Sequence, residues 1–342
     1  MEKSEITRRR FLALGSTSTA WALLASATGC MGSLSNHPNR AYLALPAGEQ
    51  GHVSLAFSRE QNLRELCEQI IPQITDLAWL KPGDSVLLKV ACNSGNEHPA
   101  VTWPAAVEAV TAFLKARGAG PVFVGDQGGV GNVRLTATGH TSSTRALMRN
   151  NGLAQAAERS GAVLDCFDEH TWNGYFAEKP DWQDVWGEPL RMTNVLQRVD
   201  HVIYLPRLGN HAIAGYTCGI KNAVGFLRDD SRKTMHQKAA TFYEKIAEIN
   251  YTPILRDKFR FVLTLADKAL LNIGPDFGAV YNFNGCVALA SKRLVDHDYL
   301  ASNLLRWLDL QQTSIFDLYS PYPRGVEFIN RTFVREVWAK RP

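Results

Sequence analysis

No two of the six cysteines have the spacing of a zinc ribbon or of a ferredoxin-type iron–sulfur site. We therefore expect no iron–sulfur cluster in this chain. The six are Cys30, Cys67, Cys92, Cys166, Cys218 and Cys286. If Cys30 is acylated, the number left for pairing is odd, which argues against a complete disulfide framework. Most of the cysteines are then expected to be small buried apolar residues.

The charge of the chain has little excess of either sign. Lysine and arginine number 37 against 33 aspartates and glutamates, which gives a formal net charge of +4 over 342 residues. No basic stripe interleaved with aromatic residues is present, so we do not expect nucleic acid as a partner. The sequence shows no internal repeat, and its 45% of hydrophobic residues suffices for a full core.

The N-terminal apolar run is too short to span a membrane, because the sequence GSTST at residues 15–19 interrupts it. The run follows TRRRFLA at residues 7–13, which is similar to the twin-arginine type of export signal. Ala13 stands where that pattern usually has lysine. We predict that residues 1–29 are a signal peptide recognised by the twin-arginine translocation machinery, which places the protein in the periplasm or cell envelope.

Two alternatives are open for the end of this signal. Cleavage after Ala27 would give a free N-terminus, whereas a lipoprotein-type site before Cys30 would acylate its thiol and tether the protein to a membrane. Residues 30–58 are polar and have a composition typical of flexible segments, and we predict that they form a linker. Proteins exported by this pathway cross the membrane in the folded state, often with a cofactor already inserted. This raises the expectation of a cofactor without identifying one.

Apolar runs of strand length alternate with helix-length amphipathic stretches from residue 59 onwards. The pattern predicts strands at 85–90, 121–125, 162–165, 201–205, 260–265 and 286–290, and helices at 64–80, 105–117 and 144–160. Strands separated by such helices imply right-handed crossovers. We therefore predict a single α/β domain over 59–342, with a mostly parallel sheet that has helices on both faces.

An aromatic-rich insertion interrupts this alternation around residues 171–190. It contains Trp172, Trp182 and Trp186 in a stretch without helical or strand periodicity. Two interpretations are open, a surface loop pinned to the body by its aromatic residues or an aromatic wall over a ligand pocket.

The segment from 201 to 236 places versatile polar groups directly after a strand-like run. The strand ends at Pro206, and the following loop and helix carry His211, Thr217, Lys221, Asn222 and His236. Ligands of open α/β sheets bind at the carboxyl ends of the strands. We predict a site here, with His211, Lys221 and His236 as catalytic candidates and Thr217 and Asn222 as ligand-binding residues.

Other polar residues would reach the same crevice if the sheet is parallel. Lys89 lies at the end of the first core strand, Asn93 follows it, and Asp126 comes just after the next strand. Two lysines, Lys89 and Lys221, near the start of a helix favour a small anionic ligand. A solvated lysine pair is the alternative.

The two histidines of this region suit either a metal ion or proton transfer. We predict that His211, His236 and Asp126 form a centre that could hold a divalent metal, although the identity of any cofactor is unknown. The alternative is that each histidine is a turn residue with one hydrogen bond.

Taken together, these motifs resemble the bacterial domain-of-unknown-function family numbered 362, from about residue 84 to residue 308. That family has a strand ending in Lys-Pro-Asn, a Thr-x-Pro helix start, a Gly-Asp after the next strand, a Pro-x-x-Lys-x-His turn, a Lys-Asn-x-x-Gly helix and a later histidine. The matching residues here are Lys89, Thr102, Pro104, Gly125, Asp126, Pro206, His211, Lys221, Asn222, Gly225 and His236.

The chain departs from the family pattern at two positions. Val90 replaces the proline, and Gly209 replaces the lysine that usually precedes the histidine, so one cationic group is lost. Many members are joined to ferredoxin modules and are associated with redox work, a role that is not carried over to a chain without such cysteines.

Three hypotheses for the function follow. The first is an exported α/β enzyme that acts on a small anionic substrate. The second is a non-catalytic periplasmic protein that binds a ligand or a redox partner subunit. The third is an isomerase or racemase, because the histidine-then-lysine order is similar in style to that of nickel-pincer lactate racemases.

Overall fold

The computed structural model describes residues 53–60, 62–181, 185–237 and 239–310. The predicted signal segment 1–29, Cys30 and most of the predicted linker lie outside the described residues. Within the described residues, no helix is both long enough and apolar enough to cross a membrane.

The described residues form ten α-helices and thirteen strands. The helices are α1 Leu63–Ile74, α2 Pro104–Lys115, α3 Thr144–Asn150, α4 Leu153–Ser160, α5 Val195–Arg198, α6 Gly219–Asn222, α7 Asp229–His236, α8 Phe242–Ile249, α9 Pro253–Lys258 and α10 Leu294–Leu310. The strands are β1 Ser54–Ser58, β2 Val86–Val90, β3 Val122–Asp126, β4 Arg134–Thr136, β5 Gly139–Thr141, β6 Val163–Cys166, β7 Tyr175–Glu178, β8 Leu190–Thr193, β9 His201–Leu205, β10 Gly209–His211, β11 Gly215–Thr217, β12 Phe259–Leu271 and β13 Ala279–Ser291.

The main sheet is mostly parallel, as predicted. Its strand order is β1-β13-β12-β9-β2-β3-β6, and the neighbours from β12 to β6 are all parallel. β2 reads VLLKV and is buried at every residue, which is typical of a central parallel strand covered on both faces. The sheet therefore aligns the carboxyl ends of β2, β3 and β9 along one edge.

The other end of the sheet is antiparallel. β12 and β13 form a long hairpin, and β1 pairs with β13 from Ser54 opposite Ala290 to Ser58 opposite Cys286. The predicted linker 30–58 is thus wrong at its C-terminal end, because residues 54–58 complete the edge of the sheet. The predicted strands 260–265 and 286–290 are only parts of these longer strands.

Two hydrophobic clusters cover the two faces of the sheet. Leu87 packs in one cluster with residues of α5, α8 and α10, while the adjacent Leu88 packs in the other with residues of α1, α2 and α4. Successive side chains of a strand point to opposite faces, so this division confirms the prediction of helices on both faces.

Two predicted helices are shorter than expected. The helix predicted at 64–80 ends at Ile74, where Thr75 is extended and its hydroxyl accepts a hydrogen bond from the Leu77 backbone N–H at 3.1 Å. Such local hydrogen bonds from side chain to backbone compete with the backbone hydrogen bonds of a helix. The helix predicted at 144–160 is divided into α3 and α4 by Gly152, whose φ of 88° lies in the left-handed region.

Aromatic residues attach the insertion around 171–190 to the body. Trp186 is buried and its indole N–H donates to the Lys245 carbonyl oxygen at 3.2 Å, while the Arg228 guanidinium lies 3.8 Å from the centre of the Trp172 ring. The segment also contains β7, which pairs with β8. These contacts favour the pinned-loop interpretation.

The cysteines of the described residues behave as expected from the sequence. Cys67, Cys92, Cys166, Cys218 and Cys286 are free and buried. Burial raises the pKa of the Cys67 and Cys286 thiols to about 12, so these groups remain protonated and apolar in character.

Candidate functional site

A buried ion pair lies at the carboxyl ends of β2 and β3. Lys89 Nζ is 2.7 Å from Asp126 Oδ1, and both side chains are almost fully buried. Lys89 Nζ also donates to the Val90 carbonyl oxygen at 2.8 Å. Because the two strands are parallel neighbours, with Lys89 opposite Gly125, their carboxyl ends lie at the same edge of the sheet and bring Lys89 next to Asp126.

Both oxygens of the Asp126 carboxylate accept hydrogen bonds. Oδ2 accepts from the Cys92 backbone N–H at 2.6 Å, and Oδ1 accepts from the Gln127 backbone N–H at 2.8 Å in addition to Lys89. Gly225 packs so closely that a Cβ there would collide with Asp126 Oδ1 and lie 2.5 Å from Lys89 Nζ. The ion pair is therefore enclosed by backbone.

Two predicted ligand-binding residues come to this edge on different elements. Asn222, in α6, donates its side-chain N–H to the Lys89 carbonyl oxygen at 2.6 Å, which ties α6 to β2. Thr217 ends β11 opposite Gly209 of β10, and its hydroxyl has no hydrogen-bond partner among the described residues. Asn222 thus has a structural bond, whereas the Thr217 hydroxyl is not engaged among the described residues.

His211 ends β10 and is held in one tautomer. Its Nδ1 accepts from the backbone N–H groups of Ile213 and Ala214, each at 3.2 Å, so the proton of the neutral ring is assigned to Nε2. Burial, followed by the positive charges of Lys221 and Arg207, lowers the pKa of His211 well below its usual value. His211 is therefore a neutral imidazole whose Nε2–H has no partner among the described residues.

Lys221, in α6, is half-buried and makes no hydrogen bond or ion pair with the described residues. Burial lowers its pKa to about 7, and the positive charges of Arg207, Arg232 and Lys89 act in the same direction, against Asp126. An amine of this kind is protonated and unprotonated in comparable amounts near neutral pH.

His236 is the last residue of α7 and lies at the surface. Its Nδ1 is 2.7 Å from the Arg232 carbonyl oxygen, and its ring packs against Phe242 at 5.3 Å between centres. Partial burial of the ring, with the charge of Lys221, lowers its pKa. The positive charge of Lys221 thus contributes to the lowered pKa of both His211 and His236.

Sequence reasoning missed two arginines of this environment. Arg207 is 3% exposed and donates to the Pro99 carbonyl oxygen at 3.2 Å, and burial lowers its pKa to about 10. Arg232 is also buried, and donates only to the backbone carbonyl oxygens of Gln127, Gly128, Gly225 and Leu227. Arg207 directly follows Pro206 at the end of β9, and this position is a signal from which its place near the site could have been predicted.

Asn93 is engaged by the tip of the β12–β13 hairpin. Its side-chain N–H groups are 2.9 Å from both carboxylate oxygens of Asp276, and Ser94 Oγ donates to Asp276 Oδ1 at 2.7 Å. At the same tip, Gly274 packs directly against the Asn210 carbonyl group, next to His211. The hairpin tip thus covers the His211 side of the site, and Asn93 holds it there.

The predicted metal ligands do not form a compact set among the described residues. Asp126 already accepts from Lys89 and two backbone N–H groups, and a metal on His211 Nε2 would move the ring proton to Nδ1, which faces two N–H donors. A different group, Cys218, His297 and Asp298, has ligand atoms within 4.8 Å of one another. This buried group is a possible metal site, and its side chains also form hydrogen bonds with one another, with Thr264 and with the backbone of Gly219 and Ile220.

The order of motifs around this site agrees with a family model. The model described as Domain of unknown function (DUF362) matches residues 86–303, which is more than half of the chain. The chain belongs to the DUF362 family. The matched range contains Lys89, Asp126, His211, Lys221 and His236, so all five of these candidate residues lie in the DUF362 domain.

Two comparisons with individual proteins extend this. The thylakoid-associated protein sll1697 of Synechocystis is 28% identical over 173 residues, which are 50% of this chain and 48% of that protein. The chain thus matches about half the length of its relative. The lactate racemase apoprotein of Thermoanaerobacterium thermosaccharolyticum has a TM-score of 0.43 and 13% identity, over 76% of this chain and 61% of the racemase. That likeness carries no argument about chemistry.

Proposed function

We propose that the crevice around Lys221 binds a small anion and transfers a proton to or from it. The observation that carries this proposal is the state of the Lys221 ammonium, which is half-buried without any hydrogen bond or ion pair among the described residues. A charge that is partly shielded from water and has no partner is unfavourable, and an anionic ligand would supply that partner.

The charge balance supports an anionic ligand. Lys221 lies in the field of Arg207, Arg232 and Lys89, and the carboxylate that acts against them, Asp126, is already paired with Lys89. Arg232 and Arg207 donate to neutral carbonyl oxygens, and the charge of Arg207 is also stabilised by a nearby carboxylate, that of Asp276. A carboxylate or phosphate group would offset this excess, and guanidinium groups recognise both.

The two side chains nearest to chemistry have different roles in this proposal. Lys221, with a pKa of about 7, can accept and return a proton at neutral pH. His211 Nε2 already carries its proton, so this atom donates a hydrogen bond and stabilises negative charge on a substrate oxygen. An amine base beside a neutral donor favours removal and return of a proton next to a carbonyl, which is chemistry of the isomerase type.

We also propose that the protein works in the cell envelope. The support is the twin-arginine pattern of residues 7–13 and Cys30. A relative whose name describes it as thylakoid-associated is in keeping with a protein that works at a membrane.

Two measurements test the function of the crevice. Calorimetry with pyruvate, malonate and inorganic phosphate should detect binding that Lys221→Met weakens at least tenfold and Lys81→Met, an exposed control, leaves unchanged. NMR in D2O should then show faster exchange of the pyruvate methyl protons with wild-type protein than with Lys221→Met. Binding without exchange would support the non-catalytic alternative, and equal results for the two variants would contradict the proposal.

A further inference from the structure

A buried carboxylate from the C-terminal helix of the described residues holds the start of α6. Asp298, in α10, accepts from the Gly219 N–H through Oδ1 at 2.8 Å and from the Ile220 N–H through Oδ2 at 2.9 Å. The Tyr216 hydroxyl donates to the same Oδ2 at 3.1 Å. Asp298 thus binds three donors on the segment that leads into Lys221.

Asp298 is itself supported by a hydrogen-bond network. His297 Nδ1 lies 2.8 Å from Asp298 Oδ1, and His297 Nε2 lies 3.0 Å from Thr264 Oγ1, which is 3.6 Å from Cys218 Sγ. All four side chains are at most 1% exposed. When a buried polar network has a hydrogen-bond partner for every group, the network is rigid. Removal of one member then lowers the stability of the protein.

The contact between α6 and Asp298 leaves no free space. A Cβ on Gly219 would lie 2.8 Å from Asp298 Oδ1 and 3.1 Å from side-chain atoms of both Leu294 and Val262. These distances are shorter than ordinary van der Waals contacts, so only glycine allows the carboxylate to reach the two amides. The start of α6 is therefore closely packed against α10 and β12.

We propose that Asp298 is a positioning residue, which holds Lys221 in the crevice by anchoring the first turn of α6. This inference rests on the proposed role of Lys221. With four residues, α6 is too short to be stable by itself, because an isolated helix needs about 12 or more residues. Its position therefore depends on tertiary contacts, namely Asp298 at its start and the bond from Asn222 to Lys89 at its end.

The pH dependence of Lys221 labelling tests this role. Limiting acetic anhydride, with mass spectrometry of the Lys221 peptide, gives the midpoint at which the amine becomes reactive, and we expect about 7 for the wild type. Asp298→Asn can keep only one of the two amide bonds. Because α6 then moves and exposes the amine, we expect the midpoint to rise by about one pH unit or more.

A second pair of variants approaches the same contact from the other side. Gly219→Ala should displace the carboxylate and raise the Lys221 midpoint, as Asp298→Asn does. Gly131→Ala is the matched control, because a Cβ there meets nothing within 4 Å. Thr264→Val removes the distant end of the network but keeps the bonds to α6, so it controls for loss of stability without a change in the midpoint.

Three outcomes would overturn the positioning role. They are an unchanged midpoint in both Asp298→Asn and Gly219→Ala, an equal rise in Thr264→Val, and stoichiometric zinc in the purified wild-type protein whose removal alone shifts the midpoint. Failure of the proposed function is distinguishable, because the wild type would then fail to bind pyruvate, malonate and phosphate while Asp298→Asn still shifted the Lys221 midpoint.

Discussion

Lys89 and Asp126 form an ion pair of 2.7 Å on adjacent parallel strands, at 1% and 6% side-chain exposure. Burial alone would lower the pKa of Lys89, and the nearby charge of Asp126 opposes that effect. The pair places one positive and one negative charge side by side at the ends of β2 and β3, so the other charged groups nearby determine the net charge that the proposed ligand would meet.

Removal of one partner of this pair should strongly destabilise the fold. Asp126→Asn leaves Lys89 buried without a counter-charge, and we expect a loss of about 3–5 kcal/mol in the free energy of unfolding. Chemical denaturation measures it. Glu108→Gln is the control, since its partner Arg159 is 60% exposed, and this variant should cost about 1 kcal/mol or less. Equal losses for the two variants would contradict the importance of burial.

Gly225 should tolerate no side chain. A Cβ there would collide with Asp126 and Lys89, so Gly225→Ala should cost about 1–3 kcal/mol through overpacking and weaken anion binding by displacing the pair. Thermal unfolding and calorimetry measure the two effects. Gly131→Ala, in open space, should change neither. A Gly225→Ala variant with wild-type stability and affinity would contradict the packing described here.

Anion affinity should fall as the pH rises above about 7, because Lys221 then loses its charge. We expect a decrease of up to about tenfold per pH unit in calorimetry. Lys221→Arg, whose guanidinium stays protonated, should show little of this decrease. The same slope in Lys221→Arg as in the wild type would assign the titration to another group.

Stability should change with pH in the opposite direction. The pKa of Lys221 is lower in the folded state than in the unfolded chain, so the unfolded chain binds more protons between about pH 7 and the ordinary lysine value. The free energy of unfolding therefore rises with pH in that window. Denaturation of Lys221→Met across the same pH range should show a smaller rise, and an identical rise would refute the lowered pKa.

The ring of His211 should remain neutral with its proton on Nε2. Long-range 15N NMR, assigned with His211→Gln, should report an unprotonated Nδ1 at pH 6, because burial lowers the pKa well below its usual value. A doubly protonated ring at that pH would remove the proposed donor role. The same lowered pKa predicts an effect of His211 on the free energy of unfolding in acid. There the buried ring must be protonated, and the buried charge opposes folding.

The proposed export signal lies outside the described residues and can be tested separately. Arg8→Lys with Arg9→Lys should retain the protein in the cytoplasm, because the paired arginines are the recognised feature. Cell fractionation measures this, and normal accumulation in the periplasm would contradict the localisation. Cys30→Ser should release the protein from membranes, unless the wild type is already soluble and begins at Thr28.

The sequence predicted the elements that depend on local patterns. The run VLLKV and the run after residue 200 are short and mostly apolar, and helix-length stretches separate the strands, so the alternation predicts a buried parallel sheet. The proximity of Lys89 to Asp126 follows from that sheet. Such reasoning does not extend to β1, whose short alternating segment is a strand only because the edge of β13 is available to it.

The parts of the site that depend on distant contacts could not be predicted. Asp298 reaches α6 across 79 residues, and Asp276 reaches Asn93 across 183 residues, with no local pattern to indicate either contact. Arg207 and Arg232 have ordinary sequence surroundings, and only tertiary packing buries their charges. Hydrophobic periodicity carries no information about which polar groups meet.

The pairing of β2 with β9 has a consequence for the order of folding. Val86 lies opposite His201, so a long loop must close before these neighbours meet, whereas β12 and β13 are joined by a short turn. Loop closure costs entropy before long-range contacts compensate for it, so the hairpin can form early and the crevice late. If the proposed export pathway transports only folded proteins, export would then be limited by the slowest folding step of this chain. That step is the one that assembles the site.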